Sequence, residues 1–144
     1  MTKVNQSVSL FKKGFNCSQA VFSTYSNDLF LSSEKARRIG TAFGAGMGRM
    51  GLTCGAVTGA IMLIGLKYGN SNVKDEMSKE KTYELVQKFA EKFKERNGSL
   101  QCNVLLDCDI STKEGLKMAE EKNLFNDRCP KYVKDAAEII EEIL

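Results

Sequence analysis

The chain has 144 residues, with 21 Lys and Arg against 18 Asp and Glu, no histidine, one proline and five cysteines. A net charge of +3 with lysines interleaved among glutamates leaves no basic face for nucleic acid, and 42% apolar content suits a globular chain able to close its own core. The absent histidines exclude Ser-His-Asp and Cys-His nucleophilic pairs, mixed Cys/His zinc sites and the Cys-x-x-Cys-His attachment of c-type haem.

Periodicity near 3.6 and the lack of alternating β-branched runs predict an all-α fold. The expectation is a single domain, residues 1–144, of about six to seven helices around a central glycine-rich apolar helix. No apolar segment follows Met1–Gln6, which argues against a secretory signal and for a cytoplasmic protein. Helix one is expected over Lys3–Lys13, burying Val4, Val8 and Phe11 and stopping at Gly14. Helix two opens at Asn16-Cys17-Ser18-Gln19, where Asn16 caps and Gln19 returns the bond in a capping box. Ala20, Val21 and Thr24 face the core. Ser32 or Ser33 caps a short third helix ending near Gly40.

The glycine-dense stretch follows. Gly44–Gly51 is expected to be a turn; its GAGMGRMG spacing has no preceding strand, which leaves a Rossmann reading without support. A buried helix then runs from Cys54 to about Tyr68, with Thr53 as its N-cap and Cys54 at its first position. Gly55-Ala56-Val57-Thr58-Gly59 has small residues at the spacing that permits close helix approach. Met50–Leu66 is uncharged over about 17 residues, the lower limit for a bilayer, yet holds two threonines between Arg49 and Lys67. It is read as a core helix and not a membrane span.

After a polar turn at Asn70–Asn72, an amphipathic helix is expected over Asp75–Arg96. Its inner face would carry Tyr83, Val86, Phe89, Ala90 and Phe93, with Asn97-Gly98 as the stop. Ser99 caps a short helix through Cys102, Leu105 and Leu106, and Ser111-Thr112-Lys113-Glu114 opens another to about Lys122. The last helix starts at Cys129-Pro130, with proline at its favoured first position. It would bury Val133, Ala136, Ala137, Ile140 and Ile143.

On these boundaries Cys17, Cys54, Cys102 and Cys129 all fall at helix N-termini, where free amides and the dipole favour thiolates. Cys108 follows Asp107, whose charge acts the other way. No Cys-x-x-Cys occurs, which weighs against zinc ribbons, thioredoxin-like motifs and common ferredoxin runs. Widely spaced thiols that converge in the fold suit a redox disulfide, or an all-Cys site for a soft metal or Fe–S cluster.

Asn16-Cys17-Ser18-Gln19-Ala20-Val21, Thr53-Cys54-Gly55-Ala56-Val57-Thr58-Gly59-Ala60, Cys102-x-x-Leu105-Leu106 and Cys129-Pro130 together resemble the redox-active family named for its C–GCAxxG–C–C pattern. The chain matches the CGAxxG wording of the central motif, with Cys before Gly, and the resemblance covers nearly its whole length. It implies that Cys17, Cys54, Cys102 and Cys129 are the metal-ligating or redox set, with Cys108 an extra. It names no substrate.

Within that set Cys54 is expected to be the most reactive thiolate, since glycines leave it open, and Cys17 its partner or resolving thiol. Two other classes stay open. In one, Gly51, Gly55 and Gly59 line a surface for a flat cofactor or an anion, with Arg49 supplying charge. In the other, the cysteines are inert core residues of a structural domain. Glu84, Glu91, Glu95, Glu120 and Glu121 lie on lysine-rich faces and carry no catalytic assignment. The expected partner is a redox protein or small ligand, and a homodimer pairing the glycine-rich faces is compatible with the pattern.

Overall fold

The computed structural model describes residues 1–144 and is all-α. Its helices are α1 (Lys3–Lys12), α2 (Cys17–Ser26), α3 (Ser33–Thr41), α4 (Gly44–Met47), α5 (Gly55–Tyr68), α6 (Glu76–Asn97), α7 (Cys102–Leu105), α8 (Lys113–Glu121) and α9 (Leu124–Ile143), with a 3₁₀ turn at Asn27–Leu29. The count exceeds the expected six to seven because α4 and α7 are single turns. No helix is long and apolar enough to cross a membrane.

Twenty-seven buried residues form one hydrophobic cluster with contributions from α2, α3, α5, α6, α7, α8 and α9. At its centre α2 lies against α5. The approach is close because Gly59 has no side chain: a Cβ there would come within 2.9 Å of the Ser18 carbonyl oxygen. The expected capping box holds α2, with Asn16 Oδ1 accepting from the Gln19 amide at 2.8 Å and Gln19 Oε1 accepting from the Asn16 amide at 2.9 Å. Ser32 caps α3 by accepting from the Lys35 amide.

Four boundaries differ from expectation. Thr53 is not the cap of α5; it pairs in an isolated antiparallel bridge with Gln101, and Cys54 occupies the N-cap position. The Cys54 amide donates to Leu100 O at 2.7 Å and the Cys102 amide to Leu52 O at 2.6 Å, so main-chain pairing draws Thr53 away from a capping geometry. Ser99 instead accepts from the Gln101 amide, and Gln101 precedes α7. At α8 the N-cap is Thr112, accepting from the Gly115 amide at 2.9 Å.

The largest difference is at α9. It begins at Leu124, after a left-handed Asn123 (φ 55°), so Cys129 and Pro130 lie inside the helix and not at its start. Pro130 has no N–H to offer the Asn126 carbonyl one turn back. The inner residues Val133, Ala136, Ala137, Ile140 and Ile143 are buried as expected. On α6 the inner stripe is Leu85, Phe89 and Phe93, at four-residue spacing, while Tyr83 is 53% exposed.

The glycine-rich stretch does form a turn, but one with unusual backbone. Ala45, Met47 and Arg49 adopt positive φ alongside Gly46, Gly48 and Gly51. At Gly46 the requirement for glycine is plain: φ is +69° and a Cβ would sit 2.8 Å from the Cβ of Cys102.

Candidate functional site

A cavity of about 240 Å³ opens where α1, α2, the α4 turn, α5, α7 and α9 meet. Its lining includes Cys17, Cys54, Cys102 and Cys129. The remaining wall is mainly apolar, with Phe11, Phe15, Leu105, Leu106, Phe125 and Tyr132, together with the amide side chains of Asn16 and Asn126. Four cysteines spread over most of the sequence thus face one space.

Each reaches it by a different device. The Asn16 capping box starts α2 with Cys17 as its first residue. Cys54 closes the extended segment that pairs with Leu100–Gln101, and the same pairing fixes Cys102 at the start of α7. Cys129 projects from the interior of α9. The Tyr132 hydroxyl donates to Leu105 O at 2.9 Å, tying α9 to α7 along the cavity wall.

None of the four cysteines is more than 9% exposed, and all are free thiols. Burial dominates their ionisation. It pushes Cys54 up to about 12 against the opposing pull of the Ala56 and Val57 amides, and lifts Cys102 to about 12 with added repulsion from Cys54 and Cys129. The expected thiolate-favouring effect of the helix start at Cys54 is present but outweighed. Cys17 and Cys129 act on each other as neighbours in the cavity. That placement raises Cys17 and holds Cys129 below the ordinary thiol range. No three cysteines or carboxylates are grouped to hold a single metal ion.

The other sequence-derived candidates scatter. Gly55 lines the cavity, whereas Gly51, Gly59 and Arg49 do not. Gly51 abuts the Asn103 side chain and Gly59 the α2 backbone, which are packing roles. Arg49 borders a separate shallow hollow with Thr41 and Gly48. Cys108 is also apart, its thiol donating to Gly115 O at 3.1 Å. The aromatic wall is not legible in the sequence, where Phe11, Phe15, Phe125 and Tyr132 look like any core aromatics.

With four cysteines from separate helices on one cavity, the family comparison has a physical counterpart. A family model described as "Putative redox-active protein (C_GCAxxG_C_C)" matches residues 15–143. The chain belongs to this family. The match takes in all four cavity cysteines. No curated protein and no solved structure matches the chain.

Proposed function

We propose that this family member carries electrons through its cavity cysteines as a dithiol–disulfide couple, with Cys129 and Cys17 as the working pair. The observation that supports this reading is the convergence of Cys17 and Cys129, from α2 and α9, on one cavity, where Cys17 favours ionisation of Cys129. The Cys129 thiolate would attack a disulfide admitted to the cavity, forming a mixed disulfide and releasing one substrate thiolate, which takes up a proton. Cys17, losing its proton, would then attack the Cys129 sulfur and expel the second substrate thiol. Two electrons and two protons pass to the substrate, and a Cys17–Cys129 disulfide remains. This assigns Cys129 the nucleophilic role that sequence reasoning gave to Cys54. A reducing compartment such as the cytoplasm fits resting free thiols.

A second reading is favoured by the other two cysteines, which a dithiol couple does not need. Four thiols on one largely apolar cavity, with no histidine in the chain, are a donor set for an Fe–S cluster. Cys17, Cys54, Cys102 and Cys129 would hold it, and it would supply one-electron transfer. The α5 amides at Cys54 would offset thiolate charge.

Iron, sulfide and thiols measured on protein purified without oxygen separate the readings. The dithiol couple requires no stoichiometric iron and a Cys17–Cys129 disulfide on mild oxidation, mapped by peptide mass. Stoichiometric iron and sulfide with all four thiols masked until unfolding would overturn it in favour of the cluster.

A further inference from the structure

The cavity faced by the cysteines has a wall without charged side chains. None of its 16 lining residues is Lys, Arg, Asp or Glu. Two guanidiniums lie close without lining it: Arg128 donates to Leu105 O at 3.3 Å, and Arg37 stacks over the Phe15 ring, 4.9 Å from its centroid. Cys129 itself draws support from Cys17 and not from a cation.

The polar side chains of the wall are engaged within the protein. Asn16 Nδ2 donates to Gly40 O at 3.2 Å and Thr41 O at 3.3 Å, while its Oδ1 accepts from the Gln19 amide. The Tyr132 hydroxyl donates to Leu105 O. Asn126 Nδ2 donates to Asn123 Oδ1 at 2.8 Å, which leaves Asn126 Oδ1 free to accept. A charged group entering this space would leave water for an apolar wall with no counter-ion, at large cost.

Size narrows the choice as well. A volume of about 240 Å³ lies below the roughly 300–1,000 Å³ of sites for drug-sized ligands. No cysteine of the four is more than 9% exposed. A disulfide on the surface of another protein would have to bring its own polar main chain into the apolar hollow to reach them.

We infer that the disulfide reduced in this cavity belongs to a small, uncharged molecule. This rests on the dithiol couple proposed above and names its oxidant by class. Each turnover breaks the S–S bond of that molecule and makes one between Cys17 and Cys129, and the protons of the two cysteine thiols end on the two thiols released. The rings of Phe11, Phe15 and Phe125 cover the carbon atoms of the molecule, and Asn126, at an exposed position, accepts from one hydroxyl or amide N–H.

The test is stopped-flow oxidation of the reduced full-length protein by three disulfides of like size: hydroxyethyl disulfide, which is neutral, cystamine, a dication, and dithiodiglycolate, a dianion. Each rate is divided by that of the same disulfide with a small free thiol, so that intrinsic reactivity cancels. The neutral compound is expected to lead both charged ones by about tenfold or more, at low and high salt alike, with Cys17–Cys129 as the protein disulfide. The disulfide of a blocked, neutral cysteine tripeptide should lag as far behind, because it exceeds the cavity. Asn126→Lys should speed dithiodiglycolate several-fold by placing a cation on the wall. Charged or tripeptide disulfides that keep pace with the neutral one while Cys17–Cys129 forms, or no gain from Asn126→Lys, would overturn the substrate class and leave the dithiol couple standing. Failure of all four compounds to form Cys17–Cys129 would overturn the couple, and the substrate class with it.

Discussion

A Cβ on Gly55 would lie 3.1 Å from the Cβ of Cys17, with the Ser18 amide nitrogen at 3.0 Å and the Phe43 carbonyl oxygen at 3.3 Å. The glycine after the central cysteine is thus a spacing device that brings the starts of α2 and α5 together. Two of its three neighbours are backbone and cannot swing aside. Gly55→Ala is expected to cost about 1–3 kcal/mol, as overpacking does. Gly65→Ala in the same helix meets nothing within 4 Å and should stabilise by up to about 1 kcal/mol. Urea midpoints of the two variants would have to move in opposite directions.

Cys129 should be the first cavity thiol to alkylate. In a Cys108→Ser background, limited iodoacetamide treatment near neutral pH followed by peptide mapping should find label on Cys129 ahead of Cys54 and Cys102. Cys17→Ala removes the group that supports its ionisation. Labelling of Cys129 should then slow several-fold, whereas a purely steric role for Cys17 would leave the rate equal or faster.

Alkali should destabilise the protein through Cys54 and Cys102. Both are raised by burial to about 12 in the folded state. A raised value means stability fully present below the unfolded thiol range and lost as pH climbs from there toward about 12. Tyr25, raised by burial and by its bond to Glu141, acts with the same sign. The diagnostic is therefore a difference: Cys54→Ala should show a shallower fall of urea midpoint with rising pH than the parent. Equal slopes would remove Cys54 from the account.

Asp135 governs acid stability at the α6–α9 seam. Burial pushes its carboxyl up, but Lys131 at 2.8 Å and Arg96 at 3.2 Å bring it below the ordinary range. A lowered carboxyl contributes stability that is present above the unfolded value, about 4, and lost as pH falls through the folded one. Asp135→Asn should cost about 1–2 kcal/mol at neutral pH. Its disadvantage should vanish in acid, which thermal melts across pH would register.

Local signals in the sequence were enough wherever the structure is local. The Asn16–Gln19 box, the Ser32 cap and the left-handed Gly98 stop all rest on residues within a turn of one another. Thr53 was misassigned because its true partner, Gln101, is remote in sequence, and nothing near Thr53 announces it. Pro130 misled for another reason: proline favours a helix start, yet packing of Val133 to Ile143 and of Cys129 carries the helix through it. Tyr83 and Leu85 show how a stripe read from apolar spacing can be offset when the neighbouring helix, and not the count of apolar residues, sets which side is covered.

The bridge between Thr53 and Gln101 ties the chain on either side of the α5–α6 hairpin, just beside Cys54 and Cys102. Everything from Ala56 to Leu100 is, for the cavity, an excursion that leaves and returns through one clasp. The far turn of that excursion, Gly69–Asp75, is exposed and lies outside the cavity lining. Lengthening or shortening the chain at that end should leave the thiols where they are, whereas an insertion beside Gln101 should pull Cys54 and Cys102 apart.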